Sequence, residues 1–354
     1  MMYIGMDLHK NFVQIALMDN QGHLLQNARI ENNTQQIDQF MNNLKGKNTK
    51  IVMESCNVWY NIYRHLKDKR LDVTLSNPLK TKAIASAKIK TDKVDARVLA
   101  DLLRGGYIAE CYVPDKRTLD LRELVRHRAF LVRTRAKMKN KVHGILLMDG
   151  IRITDAKKPF SKKYIEKLKE LHNYRIDGYL RIIKSLDSEI DNTSKMILAA
   201  AKEDSMARLL MSIPGVGYYS ALLISSEIGD IDRFADSHHL CSYAGLVPST
   251  YSSAATTYHG KITKMGSKYL RWALTECVHT HIRYQSNSNI TKFYNRISKK
   301  KGTAKATVAA ASKLLRVIYC ILKERREYQP IIVKESTRGG ALRNLPRYSN
   351  CETP

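Results

Sequence analysis

Four acidic residues stand where strands end and a helix begins, and together they suit the holding of divalent cations. Asp7 follows the short apolar run Tyr3-Ile4-Gly5-Met6, and Glu54 closes the run Lys50-Ile51-Val52-Met53. Asp92 and Asp95 lie three apart at the start of a helical pattern, a spacing that lets both carboxylates point from one face. Four carboxylates brought together repel one another unless cations sit among them. Mg²⁺, with Mn²⁺ as its substitute, takes such oxygen ligands together with phosphate and water. A pair of these ions can activate an attacking oxygen and stabilise a leaving one in phosphoryl transfer. Taken singly the acids say less. Asp7 is equally a turn residue, and Asp92 suits any helix N-terminus. Glu54, at the end of an apolar strand, needs a partner if it is buried.

Two other segments could grip or attack a phosphate. Ile213-Pro214-Gly215-Val216-Gly217 precedes a helical run from Tyr218 to Ile228. A turn built on Gly215 and Gly217 that opens a helix presents backbone N–H groups at its positive end. It resembles the hairpin of helix-hairpin-helix DNA-binding elements, and it also serves as an ordinary helix-starting turn. Farther on, Ala244-Gly245-Leu246-Val247-Pro248 leads into the hydroxyl-rich stretch Ser249 to Thr257, then into Gly260-Lys261-Ile262-Thr263-Lys264-Met265-Gly266-Ser267-Lys268-Tyr269-Leu270-Arg271. Lys261, Lys264, Lys268 and Arg271 are candidate phosphate contacts beside a polar loop in which composition singles out no serine. The segment is not a Walker A loop, since the upstream glycine and the adjoining Ser/Thr are missing.

The elements that must position these residues follow from the hydrophobic pattern. Residues 3–109 read as α/β: strands near 3–6, 12–18, 23–25, 50–54 and 73–75, and helices over 37–44, 61–69 and 91–104, the last ended by Gly105-Gly106. Residues 115–205 change character. Leu121, Leu124, Val125, Leu131, Val132, Met138, Val142 and Ile145 recur at helical steps, and the one-sign basic face between them makes Arg126, Arg133 and Lys137 candidate phosphate contacts. A second long helix is expected over 161–191, forming a helical hairpin or coiled coil about the break at 148–159. Residues 206–325 read as mostly helical. The expected domains are 1–110, 111–205, 206–325, and a flexible tail over 326–354.

Composition narrows the partner. Sixty Lys+Arg against 33 Asp+Glu give a formal charge of +27 over 354 residues. Solubility alone needs a net charge of about 2–8 in a small domain, so the excess is an electrostatic footprint for a polyanion, with nucleic acid favoured. No stretch approaches the ~20 apolar residues of a spanning helix and no signal peptide is evident, so a cytoplasmic, nucleoid-associated protein with no membrane partner is expected. The six cysteines form no CxxC pair and read as reduced thiols. The histidines 238–239 and 279–281 lack companion ligands.

Several of these segments resemble one known family. Tyr3-Ile4-Gly5-Met6-Asp7, Met53-Glu54-Ser55 and Lys90-Thr91-Asp92-Lys93-Val94-Asp95-Ala96-Arg97, followed by Ile213–Gly217 and by Tyr243–Pro248 with Gly260–Gly266 and Leu270-Arg271, look like the motifs of the DEDD insertion-sequence transposases. The pilin-gene invertase and the bridge-RNA-guided recombinases are of this kind. The resemblance implies a RuvC-like, RNase H fold for the N-terminal domain, with Asp7, Glu54, Asp92 and Asp95 as its catalytic, metal-holding acids. It implies a helical C-terminal domain whose serine, best matched by Ser253 with Ser252 as the alternative, attacks DNA to form a 5′-phosphoserine link. It also implies double-stranded DNA (element ends and target) as substrate, a noncoding guide RNA, and a homo-oligomer, dimer or tetramer. Three other readings remain: a junction nuclease using the same acids without a serine, an actin-like ATPase or sugar kinase, and a non-catalytic RNA-binding protein. The kinase reading lacks glycine-rich phosphate turns after Asp7-Leu8-His9 and leaves the basic middle unexplained.

Overall fold

A computed structural model describes residues 1–84, 91–154, 158–253 and 256–330. The chain divides into two compact units, Met1–Val113 and Pro114–Pro354.

The first unit is a five-stranded sheet covered on both faces. In chain order it contains β1 (Met2–Leu8), β2 (Phe12–Met18), β3 (Leu24–Glu31), α1 (Thr34–Asn42), β4 (Thr49–Glu54), α2 (Trp59–Asp68), β5 (Asp72–Ser76), α3 (Pro78–Ile84) and α4 (Asp92–Arg104). The spatial order is β3-β2-β1-β4-β5. β1, β2 and β3 form an antiparallel meander, while β4 and β5 run parallel to β1. This is the topology of the RNase H/RuvC-like fold. Alternation along the strands divides the core. Ile4, Met6, Val13, Ile15, Ile51 and Met53 pack with Ile37 and Phe40 of α1 and Ile62 and Leu66 of α2. Tyr3, Ala16 and Met18 face the other way, onto Ala96 and Ala100 of α4.

α4 lies unusually close to β1, and Gly5 is the reason. A Cβ on Gly5 would stand 2.0 Å from the Ala96 carbonyl oxygen and 2.6 Å from the Ala100 nitrogen. Thr91 starts α4 by accepting a hydrogen bond from the Val94 N–H, which fixes where the first turn, with Asp92 and Asp95, begins. α3 is an element the sequence pattern does not suggest. Asn77-Pro78 reads as a strand stop, yet Pro78 opens a helix, since the first helical position needs no N–H. The Asn77 side chain accepts from the Leu79 and Lys80 N–H groups.

The second unit is helical, with one hairpin of strands. It comprises α5 (Lys116–Met148), α6 (Lys162–Glu170), α7 (Tyr174–Glu203), α8 (Ser205–Met211), α9 (Tyr218–Ile228), α10 (Ser237–Tyr243), β6 (Pro248–Ser253), β7 (Thr256–Ile262), α11 (Lys268–Tyr284), α12 (Asn289–Lys301) and α13 (Thr303–Glu324). α5 has 33 residues and is about 50 Å long at 1.5 Å per residue. It packs along α7. The single helix expected over 161–191 is two: His172 takes φ +48° and Asn173 caps α7 through the N–H groups of Arg175 and Ile176. The apolar spacing runs on through this break, so periodicity could not show it. α9 is buried along nearly its whole length and lies at the centre of a core shared with α11 and α13. The hydroxyl-rich stretch after Pro248 is not a loop but the β6–β7 hairpin, in keeping with its Thr and Tyr content.

Cys56, Cys111, Cys241 and Cys277 are free thiols. Among the described residues no helix is long and apolar enough to cross a membrane. Of the expected tail, residues 331–354 lie outside the described residues.

Candidate active site

In the first unit the sheet and α4 bring carboxylates together. Asp7 and Glu54 follow Met6 and Met53, which are register partners and belong to the core on the α1/α2 side. Strand alternation therefore puts both acids on the opposite face, the one α4 covers. Asp92 and Asp95 occupy the first turn of α4. The Asp7 carboxyl is pushed above the ordinary 3.8, chiefly by burial and also by the charges of Asp92 and Asp95, against a lowering by the His9 hydrogen bond. Two nearby carboxylates thus already weigh on a third.

His9 is the residue the sequence reading passed over. Its Nε2 lies 3.1 Å from Asp7 Oδ2 and 3.4 Å from Asp92 Oδ1, bridging strand and helix. No local signal marked it: His9 lies two residues after Asp7, just beyond the end of β1. The turn to β2 fixes His9 tightly. Its N–H donates to the Phe12 carbonyl and its own carbonyl accepts from the Asn32 side chain. Its ring stacks on Phe12 at 4.3 Å between centroids, and the Arg29 guanidinium lies 3.5 Å from the Phe12 centroid. Asp7, His9 and Asp92 offer ligand atoms that all lie within 4.8 Å of one another and could hold a metal ion.

The second unit positions the other candidates. Gly215 has φ +93°, and a Cβ there would stand 2.6 Å from the His281 nitrogen, so the turn sits hard against α11. The His281 side chain completes the dock. Nδ1–H donates to the Pro214 carbonyl at 2.7 Å, which leaves Nε2 to accept from the Ser288 hydroxyl at 2.8 Å. Burial lowers the pKa of His281, in keeping with this neutral tautomer. Gly217 caps α9 without a side-chain hydrogen bond and has open space beside its Cα.

Gly245 and Gly266 interlock two segments. A Cβ on Gly245 would meet the Met265 oxygen at 2.2 Å, and one on Gly266 the Tyr243 oxygen at 1.9 Å. Arg271 Nη1 donates to the carbonyls of Ala244 (2.9 Å) and Gly266 (3.2 Å), which makes it a brace for the hairpin base. Lys261, Lys264 and Lys268 are exposed around it. Ser252 and Ser253 lie on β6, their backbones opposite Thr257 and Thr256. Ala254 and Ala255 between the strands, and Lys90 before α4, lie outside the described residues.

The cations of α5 divide into two groups. Arg126 makes a bidentate pair with Glu227, at 2.7 and 2.9 Å, and Glu227 is only 1% exposed. Arg122 donates to the carbonyls of Ser226 and Glu227, and Arg128 to the Ser194 hydroxyl. These hold the helix in its own core. Arg133 and Lys137 are exposed.

Two family models match along the chain. A DEDD transposase model of the IS110 type covers residues 4–148, and the "Transposase IS116/IS110/IS902 family" model covers residues 207–295. The chain belongs to this transposase family. The transposase for insertion sequence element IS1111A of Coxiella burnetii is 25% identical over 92% of this chain and 91% of its own length. The transposase for IS1328 of Yersinia enterocolitica is 26% identical over 90% and 96%, and the pilin gene-inverting protein of Moraxella bovis 25% over 92% and 97%. This transposase is thus an enzyme of DNA recombination with DNA as its substrate, and its family implies divalent-metal dependence.

Proposed function

We propose that this transposase cuts and rejoins DNA with a serine nucleophile aided by a divalent ion at the four acids. The observation that supports this reading is the meeting of Asp7, Asp92 and His9, with the Asp7 carboxyl raised by burial and by its acidic neighbours. The donor set fits a cation, since it concentrates carboxylate charge that, among the described residues, meets the His9 imidazole at Asp7. Asp7, Glu54, Asp92 and Asp95 would hold Mg²⁺, or Mn²⁺ in its place, and the bound ion would supply charge stabilisation at a phosphate.

Ser253, with Ser252 as the alternative, provides the attacking hydroxyl. Its oxygen bonds to phosphorus, its proton passes to a base, the P–O3′ bond breaks, and the departing O3′ takes up a proton. The 5′-phosphoserine link retains a phosphate ester for a phosphate ester, so resealing needs no ATP. Gly215, Gly217, Lys261, Lys264, Lys268, Arg133 and Lys137 contact phosphates in this reading. Residues 1–110 form the metal domain, 111–205 the helical connection and 206–325 the serine domain. The protein works in the cytoplasm as a homo-oligomer, with a guide RNA choosing the DNA.

A covalent-adduct trap tests this. Purified protein is incubated with RNA and DNA from its flanking sequence and Mg²⁺, then denatured and probed for protein-bound DNA. An adduct present in the parent and absent in Ser253→Ala and in Asp7→Ala is expected. Cleavage without an adduct, still abolished by Asp7→Ala, would leave a hydrolytic nuclease instead.

A further inference from the structure

We infer that His9 is a third protein ligand, through Nε2, to the ion held by Asp7 and Asp92, and that this nitrogen tilts the site towards first-row transition ions over Mg²⁺. The inference rests on the proposed reading of those acids as metal-holding.

Distances support it first. Donors about 2.0–2.1 Å from an octahedral ion stand about 3 Å apart when adjacent. Nε2 lies 3.1 Å from Asp7 Oδ2 and 3.4 Å from Asp92 Oδ1, so an ion between Nε2 and each of these oxygens needs shifts of only a few tenths of an ångström. Rigidity comes next. The ring stacks on Phe12, and the backbone is hydrogen-bonded at both its N–H and its carbonyl, so Nε2 faces the two carboxylates. Placement is the third point. His9 joins β1 to the first turn of α4, the two elements that supply the acids, so ligation closes the site across the sheet–helix boundary. Chemistry then sets the preference. Mg²⁺ favours oxygen donors almost exclusively, whereas an imidazole suits later first-row ions, whose affinity for nitrogen rises along the series.

The test is calorimetric titration of the metal-free full-length protein with Mg²⁺, Mn²⁺ and Co²⁺, at a pH where free imidazole is neutral. The parent, His9→Ala, His9→Gln and Asp92→Asn are compared, and thermal melts confirm that each variant is folded. Co²⁺ and Mn²⁺ are expected to bind the parent more tightly than Mg²⁺. His9→Ala should weaken Co²⁺ by at least about tenfold, the scale of losing a metal-site partner, while Mg²⁺ changes far less, and His9→Gln should follow His9→Ala. A Co²⁺ to Mg²⁺ affinity ratio unchanged in both His9 variants would overturn the assignment. So would tighter binding of every ion without His9, which would make the imidazole a competitor for the carboxylates. If the parent binds no ion, or Asp92→Asn binds all three as the parent does, the acids do not hold metal and the underlying reading falls as well.

Discussion

At the scale of single residues, Asp7 sits where folding and chemistry pull in opposite directions. Its carboxyl titrates above the ordinary value, because burial and the charges of Asp92 and Asp95 disfavour ionisation. The folded state therefore holds this proton more tightly than the unfolded chain, and the stability it gives at low pH is lost as pH rises through the folded value. At neutral pH an ionised Asp7 works against the metal-free fold. Asp7→Asn is expected to raise the melting temperature of the metal-free protein by a few degrees at pH 7, with a gain that shrinks as pH falls into the carboxylate range. Added Mg²⁺ or Mn²⁺ should raise the melting temperature of the parent and not of the variant, and strand exchange should be lost. A variant no more stable than the parent at neutral pH would contradict the charge argument.

At the scale of elements, the site depends on how closely α4 can approach β1. Gly5→Ala places a methyl group against the Ala96 carbonyl, a backbone atom that cannot swing aside, so strand and helix must separate. Overpacking of this kind costs about 1–3 kcal/mol or more. It should appear as a lower midpoint for the first unit in urea unfolding, together with weaker divalent-ion binding although no ligand has changed. An unaltered affinity would mean that the helix tolerates the shift. The same elements show what the sequence could and could not tell. The strands and α4 were legible because apolar alternation and a Thr cap are local signals, and the acids stood out because each closes or opens an element. His9 was not, because its role comes from a ring stack on Phe12 and from Asp92 on α4, 83 residues away. The brace made by Arg271, the dock between His281 and Pro214, and the burial of Glu227 beneath Arg126 are likewise contacts between distant segments, to which composition is blind. The break before α7 was hidden for the opposite reason: the apolar period continues through it.

At the scale of the whole molecule, a formal charge of +27 does not make every cation a phosphate ligand. Arg126 neutralises a carboxylate that is 1% exposed, while its own side chain is 39% exposed. Arg126→Ala would strand that buried charge, at a cost of about 3 kcal/mol, the low end for breaking such a pair because the arginine is partly solvated. Its slope of log affinity against log salt for DNA should match that of the parent. Lys261→Ala is expected to do the reverse, leaving stability within about 0.5 kcal/mol and lowering the salt slope by about one, the release of one counterion per phosphate contact. Denaturant melts and binding measured from low to high salt separate the two. Equal changes in slope would mean that Arg126 reaches DNA despite Glu227.

The length of α5 has a further consequence when set against duplex dimensions. A straight rod of about 50 Å measures off roughly 15 base pairs at about 3.4 Å per step, close to one and a half turns. Two grips at its ends, on a straight duplex laid alongside, would meet opposite sides of the double helix. Removing one heptad from α5 shortens that ruler by about 10 Å, or roughly three base pairs, and so turns the second grip about a third of the way around the duplex axis.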